Sequence, residues 1–225
     1  MTARYRLTAS HIRRALDSVA DADADVARAI AELGYPEPRR RPEGFATLLR
    51  VIIGQQVSVQ AASTIYGRLA AAMQDDVRPE RLLRLREATL RKAGLSGAKA
   101  KYARCLAQAI DREELALDAL ARLPDDEAML RIQAVPGLGL WSAQIYLMFS
   151  LGRPDIWPRA DIGLLRGLQN IKRLPERPTV QTADLLAERF RPHRSALALL
   201  AWKCASQRLA ADASALPLPA AGPER

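Results

Sequence analysis

The chain has 225 residues, 49% of them hydrophobic, which is enough to bury the core of one large domain or of two small ones. Its 34 basic and 25 acidic residues give a net charge of +9. A positive surplus of this size suits a polyanionic partner such as nucleic acid, although a general bias toward arginine would produce the same sum.

Cysteine and histidine are too sparse to build a metal or disulfide framework. Cys105 and Cys204 are far apart and neither belongs to a CxxC pair, and His11 and His193 are the only histidines. This pattern argues against a zinc cluster and against disulfides. No apolar run is long enough to span a bilayer, and the N-terminus lacks a signal-peptide core. We therefore expect a soluble, cytoplasmic protein with no membrane partner.

The N-terminal part predicts two helices followed by a linker. The first begins with Thr8 or Ser10 as its cap and ends near Ala20, and the second covers residues 26–33. The basic, proline-punctuated segment 36–44 then predicts a domain boundary.

The remainder also predicts helices, because runs of β-branched residues with period-two alternation are missing. The predicted helices cover residues 45–53, 58–73, 79–85, 88–93, 99–110, 117–123, 126–132 and 141–150. After a second proline-rich loop at 152–160, two or three further helices end near Ala210, and we expect the tail from about 211 to be frayed. The predicted fold class is all-α.

The most informative motif consists of five residues between two predicted helices, namely Val135, Pro136, Gly137, Leu138 and Gly139. Two glycines let the backbone turn tightly and approach a ligand closely, and the second opens a helix whose first amides are exposed. Such a hairpin can hold a DNA phosphate without reading the base sequence. For an isolated motif of this kind, an ordinary helix–helix turn is the alternative.

Several segments in order, together with this hairpin, resemble the helix-hairpin-helix glycosylase superfamily. They are Ile-Ile-Gly-Gln-Gln-Val-Ser-Val at 52–59, Gly-Leu-Ser-Gly-Ala-Lys-Ala-Lys-Tyr at 94–102, Leu-Trp-Ser-Ala at 140–143, Pro-Asp-Ile-Trp-Pro-Arg-Ala-Asp at 154–161 and Ala-Leu-Leu-Ala-Trp-Lys at 198–203. Within the superfamily, the sequence is similar to the DNA-3-methyladenine glycosylase II type over roughly residues 45–205. It resembles the compact form, which lacks the N-terminal β-rich domain of larger bacterial relatives.

The resemblance implies two helical domains with the active cleft between them. Residues 44–154 would carry the hairpin. Residues 1–43 and 155–225 would form the second domain and carry the catalytic aspartate.

Asp161 is the candidate catalytic carboxylate. From the residues alone it is a helix N-cap, because an apolar helical pattern follows it directly. The resemblance implies that it stabilises the positive charge that develops on the deoxyribose, and that it positions or deprotonates the attacking water. A purine alkylated at N3 or N7 is cationic and departs without a general acid. The neighbouring Asp155 fits a loop-shaping role better.

Trp141 and Trp202 match the two aromatic positions of the family's base pocket, where they would stack on a cationic base. Core packing is the alternative for each. Tyr146 is also a candidate pocket residue, although the position of the family tyrosine holds Ile145 here. Trp157 would line the pocket mouth or anchor its loop.

Trp141 also occupies the position at which strand-cutting relatives carry a lysine that forms a Schiff base. The resemblance therefore implies no AP lyase activity and an abasic product with an intact strand. The four-cysteine loop of the iron–sulfur relatives is missing as well.

The turn at Gln55 and Gln56 matches the wedge that fills the gap left by a flipped base, and which glutamine intercalates stays open. Helix capping by the two glutamines is the alternative. No cofactor is expected, except that the resemblance implies a sodium or potassium ion on the backbone carbonyls of Gln133, Val135 and Leu138. Candidate phosphate contacts are Arg39, Arg40, Arg41, Arg159, Arg166 and Lys172.

The expected function is that of a monomeric, monofunctional DNA glycosylase that flips alkylated bases such as 3-methyladenine and 7-methylguanine out of double-stranded DNA in base excision repair. DNA binding would associate it with the nucleoid. The alternatives are a glycosylase for hypoxanthine, etheno adducts or uracil, and a non-catalytic helix-hairpin-helix DNA-binding protein.

Overall fold

A computed structural model describes residues 6–214 of the protein, with side chains up to residue 207. Over these residues the chain forms thirteen helices and no strand, which confirms the predicted all-α class. The helices are α1 (Ala9–Ala22), α2 (Ala24–Leu33), α3 (Phe45–Gly54), α4 (Val59–Ala72), α5 (Pro79–Arg84), α6 (Glu87–Ala93), α7 (Gly97–Asp111), α8 (Leu117–Leu120), α9 (Asp125–Gln133), α10 (Leu140–Phe149), α11 (Ile162–Lys172), α12 (Val180–Glu188) and α13 (Arg194–Ser214). None of these described helices has the length and apolar character needed to cross a membrane.

The last helix is longer than predicted. It was expected to end near Ala210, but α13 continues to Ser214, because no glycine or proline interrupts the chain between residues 194 and 214. The predicted frayed tail therefore overlaps this helix at 211–214, and its remainder, residues 215–225, lies outside the described residues.

The described chain divides into two compact units. Unit 1 contains residues 6–8 and 38–158, and unit 2 contains residues 9–37 and 159–214. The predicted boundaries at 44 and 155 differ from this division, since the N-terminal residues 6–8 and most of the basic segment group with the hairpin instead of with the second domain.

Hydrogen bonds explain where the basic segment lies. The amide of Arg41 donates to the carbonyl of Phe149 at 2.8 Å. The hydroxyl of Thr47 donates to the carbonyl of Pro42 at 2.7 Å. The amide of Arg6 donates to the carbonyl of Gly152 at 3.1 Å, so both early segments are fastened to the end of α10. Residues 38–44 of the segment predicted as a linker are part of unit 1.

The core of unit 1 is built around α3 and α10. Leu48, Ile52 and Ile53 of α3 are fully buried, and every residue of α10 from Ser142 to Phe149 is buried. A helix that is apolar on all sides is buried on all sides, which is why α10 lies in the middle of its unit. Its orientation is therefore fixed by contacts on every face.

The core of unit 2 depends on a very close approach of α11 to α13. A Cβ atom added to Gly167 would lie 1.8 Å from the carbonyl oxygen of Ala201. One turn earlier on the same face, a Cβ atom on Gly163 would lie 3.3 Å from the indole of Trp202. Gly167 thus lets the two backbones meet, and Gly163 leaves room for the Trp202 side chain on the same face.

An ion cluster holds α2 in unit 2. The carboxylate of Asp23, which caps α2, is 5% exposed and accepts hydrogen bonds from Lys172 at 2.8 Å and from Arg189. Burial opposes the charge, but the bonds from Lys172 and neighbouring donors hold the pKa of Asp23 below its usual value. Lys172 also pairs with Asp25 at 2.8 Å, so this predicted phosphate contact is engaged inside unit 2.

We expect Gly167→Ala to destabilise the protein by about 3 kcal/mol, because the new methyl group would overlap the backbone of α13. The melting temperature should fall by roughly 6–12 °C in a calorimetric scan. Gly67→Ala is the matched control, since a Cβ atom on this mid-helix glycine of α4 meets nothing within 4 Å. It should leave stability equal or raise it by about 0.5–1 kcal/mol. Equal melting temperatures for the two variants would contradict the proposed close approach.

Candidate active site

The hairpin between α9 and α10 has a geometry that only glycine permits at its centre. Gly137 has a φ of +91°, and a Cβ atom there would lie 2.3 Å from the ring of Tyr102. The amide of Leu138 donates to the carbonyl of Val135 at 3.1 Å and closes the turn. Gly139 then begins α10 without a side-chain cap, leaving its end suited to an external acceptor such as a phosphate oxygen.

The predicted wedge glutamines have different environments. We call residues 54–57 the wedge turn. Gln55 is half-buried, and its side-chain amide donates to the carbonyl of Gly137 at 2.8 Å, which fastens the wedge turn to the hairpin. Gln56 is exposed and has a φ of +56°. This arrangement favours Gln55 as the brace and Gln56 as the residue that projects.

Lys99 supports the same turn, a role that the sequence did not reveal. Its ammonium group donates to the carbonyl of Ile53 at 2.8 Å and to that of Gln55 at 2.6 Å. These are carbonyls at the end of α3, which a helix leaves without internal partners. Burial lowers the pKa of Lys99. The one available signal was the position of this lysine within the family-like segment 94–102.

A cavity of about 380 Å³ lies in unit 1 beside Trp141. Its lining residues are Arg41, Arg50, Val51, Gly54, Val57, Val59, Ala62, Ser63, Tyr66, Trp141 and Ile145. The cavity is within the usual size range of small-molecule sites and adjoins the wedge turn through Gly54. Trp141 is 40% exposed, so it is available to a ligand as a core tryptophan would not be.

Tyr146, a predicted pocket residue, lies in the core. It is fully buried, and its hydroxyl accepts a hydrogen bond from the amide of Gly44 at 2.9 Å. Burial raises its pKa to about 12. The prediction that Tyr146 lines the pocket is therefore wrong. Adjacent side chains on a helix point about 100° apart, so Tyr146 faces the core while its neighbour does not. Ile145 faces the cavity instead.

Asp161 lies in unit 2 and makes two hydrogen bonds through the same oxygen. Its Oδ1 atom accepts from the amide of Leu164 at 2.8 Å, as an N-cap, and from the indole Nε1 of Trp202 at 2.9 Å. Both donors fix the orientation of the carboxylate. The expected N-cap and a chemically useful carboxylate therefore coexist in one residue. Trp202, predicted to stack on a base, donates the bond that orients this carboxylate.

The loop before Asp161 is anchored by Trp157. This side chain is 6% exposed, and its backbone carbonyl accepts a hydrogen bond from the buried amide of Gln144 at 2.7 Å. Of the two roles considered for Trp157, the structure shows the anchor.

Among the predicted phosphate contacts, Arg159 pairs with Asp184 at 2.7 Å.

A model of the HhH-GPD superfamily, described as base excision DNA repair proteins, matches residues 49–192. The chain belongs to this family. The match includes the wedge turn, the hairpin and Asp161, so the predicted superfamily is confirmed.

Sequence relatives match most of the length of this chain. A protein named putative DNA-3-methyladenine glycosylase YfjP, from Bacillus subtilis (strain 168), is 29% identical over 166 residues, which are 71% of this chain and 58% of that protein. The chain therefore spans less than two thirds of that relative.

Two solved structures resemble most of the described fold. One is a 3-methyladenine DNA glycosylase, Mag1, from Schizosaccharomyces pombe in complex with abasic DNA, with 26% identity, a TM-score of 0.78, and coverage of 84% of this chain and 95% of that one. The other is a DNA-3-methyladenine glycosidase from Bacillus halodurans, with 27% identity, a TM-score of 0.79, and coverage of 87% and 91%. The likeness to the 3-methyladenine branch is thus borne out in sequence and in structure.

We expect Lys99→Met to loosen the wedge turn of the HhH-GPD protein, because two carbonyls at the end of α3 would lose their shared donor. Amide hydrogen exchange of residues 55–57 should become about tenfold faster or more, measured by mass spectrometry. Lys101→Met is the control, since Lys101 is exposed on the same helix. Unchanged exchange in the Lys99 variant would show that the turn is held by other contacts.

Proposed function

We propose that this protein is a monofunctional DNA glycosylase that excises alkylated bases from double-stranded DNA in base excision repair. The observation that carries the proposal is the carboxylate of Asp161, oriented by the indole of Trp202 in a chain of a base excision repair family. The two similar structures are named as enzymes that act on 3-methyladenine, and these names supply the substrate class.

In the reaction, the bond between C1′ of the deoxyribose and the ring nitrogen of the base breaks, and its electron pair leaves with the base. Positive charge develops on the sugar, and the Asp161 carboxylate stabilises it. As water adds to C1′, its proton passes to the same carboxylate and then to solvent. The products are the free base and an abasic site. A base that is cationic through N3 or N7 alkylation departs neutral and needs no acid.

DNA binding uses the residues of unit 1. The backbone of the hairpin at Gly137 and Gly139 receives a phosphate, and Gln56 enters the space that the flipped nucleotide vacates. The base itself enters the cavity beside Trp141. Because Gln55 bonds to the carbonyl of Gly137, the phosphate contact and the wedge move together.

Strand cleavage by an imine is not part of this activity. An AP lyase of this superfamily needs a lysine at the position of Trp141, and the chain has no lysine between Lys101 and Lys172. Without an amine at that place, the sugar reacts with water alone. The strand stays intact.

A monovalent cation at the hairpin fits the donors there. Sodium and potassium prefer neutral oxygen ligands, and the carbonyl of Val135 keeps a second lone pair beside its bond to Leu138. With the carbonyls of Gln133 and Leu138 it would hold the ion, which when bound adds positive charge near the phosphate. The protein would act as a monomer, without an organic cofactor, in the cytoplasm at the nucleoid.

We expect Asp161→Asn to lower base release by at least about a hundredfold, because the amide cannot balance the sugar cation. The protein is incubated with methylated DNA, and the released bases are identified by mass spectrometry. Asp155→Asn, in the preceding loop, is the matched control and should retain activity. Borohydride should trap no protein–DNA adduct. Wild-type release by the Asp161 variant, or a trapped adduct, would contradict the mechanism.

We expect Trp202→Phe to slow base release by about 10 to 100-fold with little change in DNA affinity, because it removes the indole donor from Asp161 and keeps an aromatic ring. Trp157→Phe is the matched control, since the buried indole nitrogen of Trp157 has no hydrogen-bond partner among the described residues. Equal rates for the two variants would show that the indole bond does not position the carboxylate.

A further inference from the structure

The residue directly before Asp161 has a strained backbone. Ala160 has a φ of +65°, in the left-handed region that favours glycine. Among the described residues six non-glycine residues have a positive φ, and Ala160 is the one whose side chain has no polar atom to stabilise this conformation locally. Its conformation therefore depends on what holds its neighbours.

An ion pair holds the chain on one side of Ala160. The guanidinium of Arg159 lies 2.7 Å from Oδ2 of Asp184 in α12, and the Asp184 side chain is only 29% exposed. The other carboxylate oxygen of Asp184, Oδ1, is buried without a hydrogen-bond partner among the described residues. Loss of Arg159 would leave this partly buried carboxylate without its counter-charge, so the guanidinium is retained at Asp184.

The carboxylate of Asp161 holds the chain on the other side. Its Oδ1 atom accepts hydrogen bonds from the amide of Leu164 and from the indole of Trp202. Residues 159 and 161 are thus both tied to helices of unit 2, with the strained Ala160 between them. If the Arg159 end were released, Ala160 could relax to a negative φ, and the backbone entering Asp161 would rotate. The carboxylate would then leave its bonded orientation.

We propose that the Arg159–Asp184 pair positions the catalytic carboxylate by holding Ala160 in its left-handed conformation. Arg159 is then a positioning residue, whereas the sequence predicted it as a phosphate contact. The inference rests on the proposed glycosylase function, because it concerns the orientation of Asp161 during base release.

The first test measures base release from methylated duplex DNA in single turnover, with the full chain in excess. Arg159→Gln and Asp184→Asn should each lower the rate about fivefold, because either change breaks the pair. The Kd for DNA should stay within about twofold of the wild type, since neither side chain contacts the DNA in this proposal.

Arg173→Gln is the matched control. Arg173 forms an exposed ion pair with Glu32 and lies at the C-terminal end of α11, the helix that Asp161 caps. The variant loses the same charge as Arg159→Gln and should keep the wild-type rate. A loss equal to that of Arg159→Gln would show that the effect is one of general charge.

The Ala160→Gly background tests the route by which the pair acts. Glycine adopts a φ near +65° without steric strain, so the pair should become dispensable. In this background, Arg159→Gln should change the rate by less than about twofold. A loss as large as that in the Ala160 background would overturn the proposal.

Amide exchange of Leu164, followed by NMR, reports on the cap independently of catalysis, because this amide donates to Oδ1 of Asp161. Exchange should become about fivefold faster in Arg159→Gln and in Asp184→Asn and stay unchanged in Arg173→Gln. The melting temperatures should stay close to that of the wild type, since a partly exposed ion pair adds little to global stability.

A phosphate-binding role for Arg159 predicts opposite signs for the two variants. Arg159→Gln would weaken DNA binding, and Asp184→Asn would strengthen it by freeing the guanidinium. That result, or unchanged Leu164 exchange in both variants, would overturn the positioning role and leave the glycosylase function intact. Absence of base release by the wild-type protein would instead refute the proposed function. Leu164 exchange would still test the pair, so the two failures are distinguishable.

Discussion

The close approach of α11 and α13 is the constraint on which the candidate catalytic carboxylate depends. Gly167 lets the two backbones meet at Ala201, and Gly163 leaves room for the indole of Trp202 on the same face. Only at this separation does the indole nitrogen reach Oδ1 of Asp161 at 2.9 Å. A packing interaction in the core thus sets the orientation of a polar group at the end of the helix. The glycines of α11 therefore support the site because they lack a side chain.

Unit 1 also depends on a glycine that no larger residue could replace. Gly137 has the backbone conformation that turns the hairpin, its missing side chain makes space for Tyr102, and its carbonyl receives the side chain of Gln55. Lys99 joins the other side of that turn. The hairpin and the wedge turn are therefore one structural piece, although more than 80 residues separate them in the sequence. A phosphate that binds the hairpin would therefore act on the wedge turn through the hydrogen bond between Gln55 and Gly137.

The fold was predictable because helical periodicity is a local property, and the family motifs fixed the order of the functional segments. Features that depend on contacts between residues far apart in the sequence were not predictable. Tyr146 was placed in the pocket and lies in the core, whereas Ile145, which holds the motif position of the family tyrosine, lines the cavity. The segment at 38–43 packs on unit 1 through backbone bonds that carry no side-chain pattern. The stacking of Arg50 on Tyr66 joins two helices, and neither residue stands out alone.

The proposed mechanism has no general acid, and this places a requirement on the base. Cleavage of an N-glycosidic bond requires stabilisation at both ends, and in this mechanism Asp161 serves only the sugar. The base must then be activated by its own charge or by its surroundings. A base that is cationic through alkylation meets this requirement, because it departs as a neutral molecule.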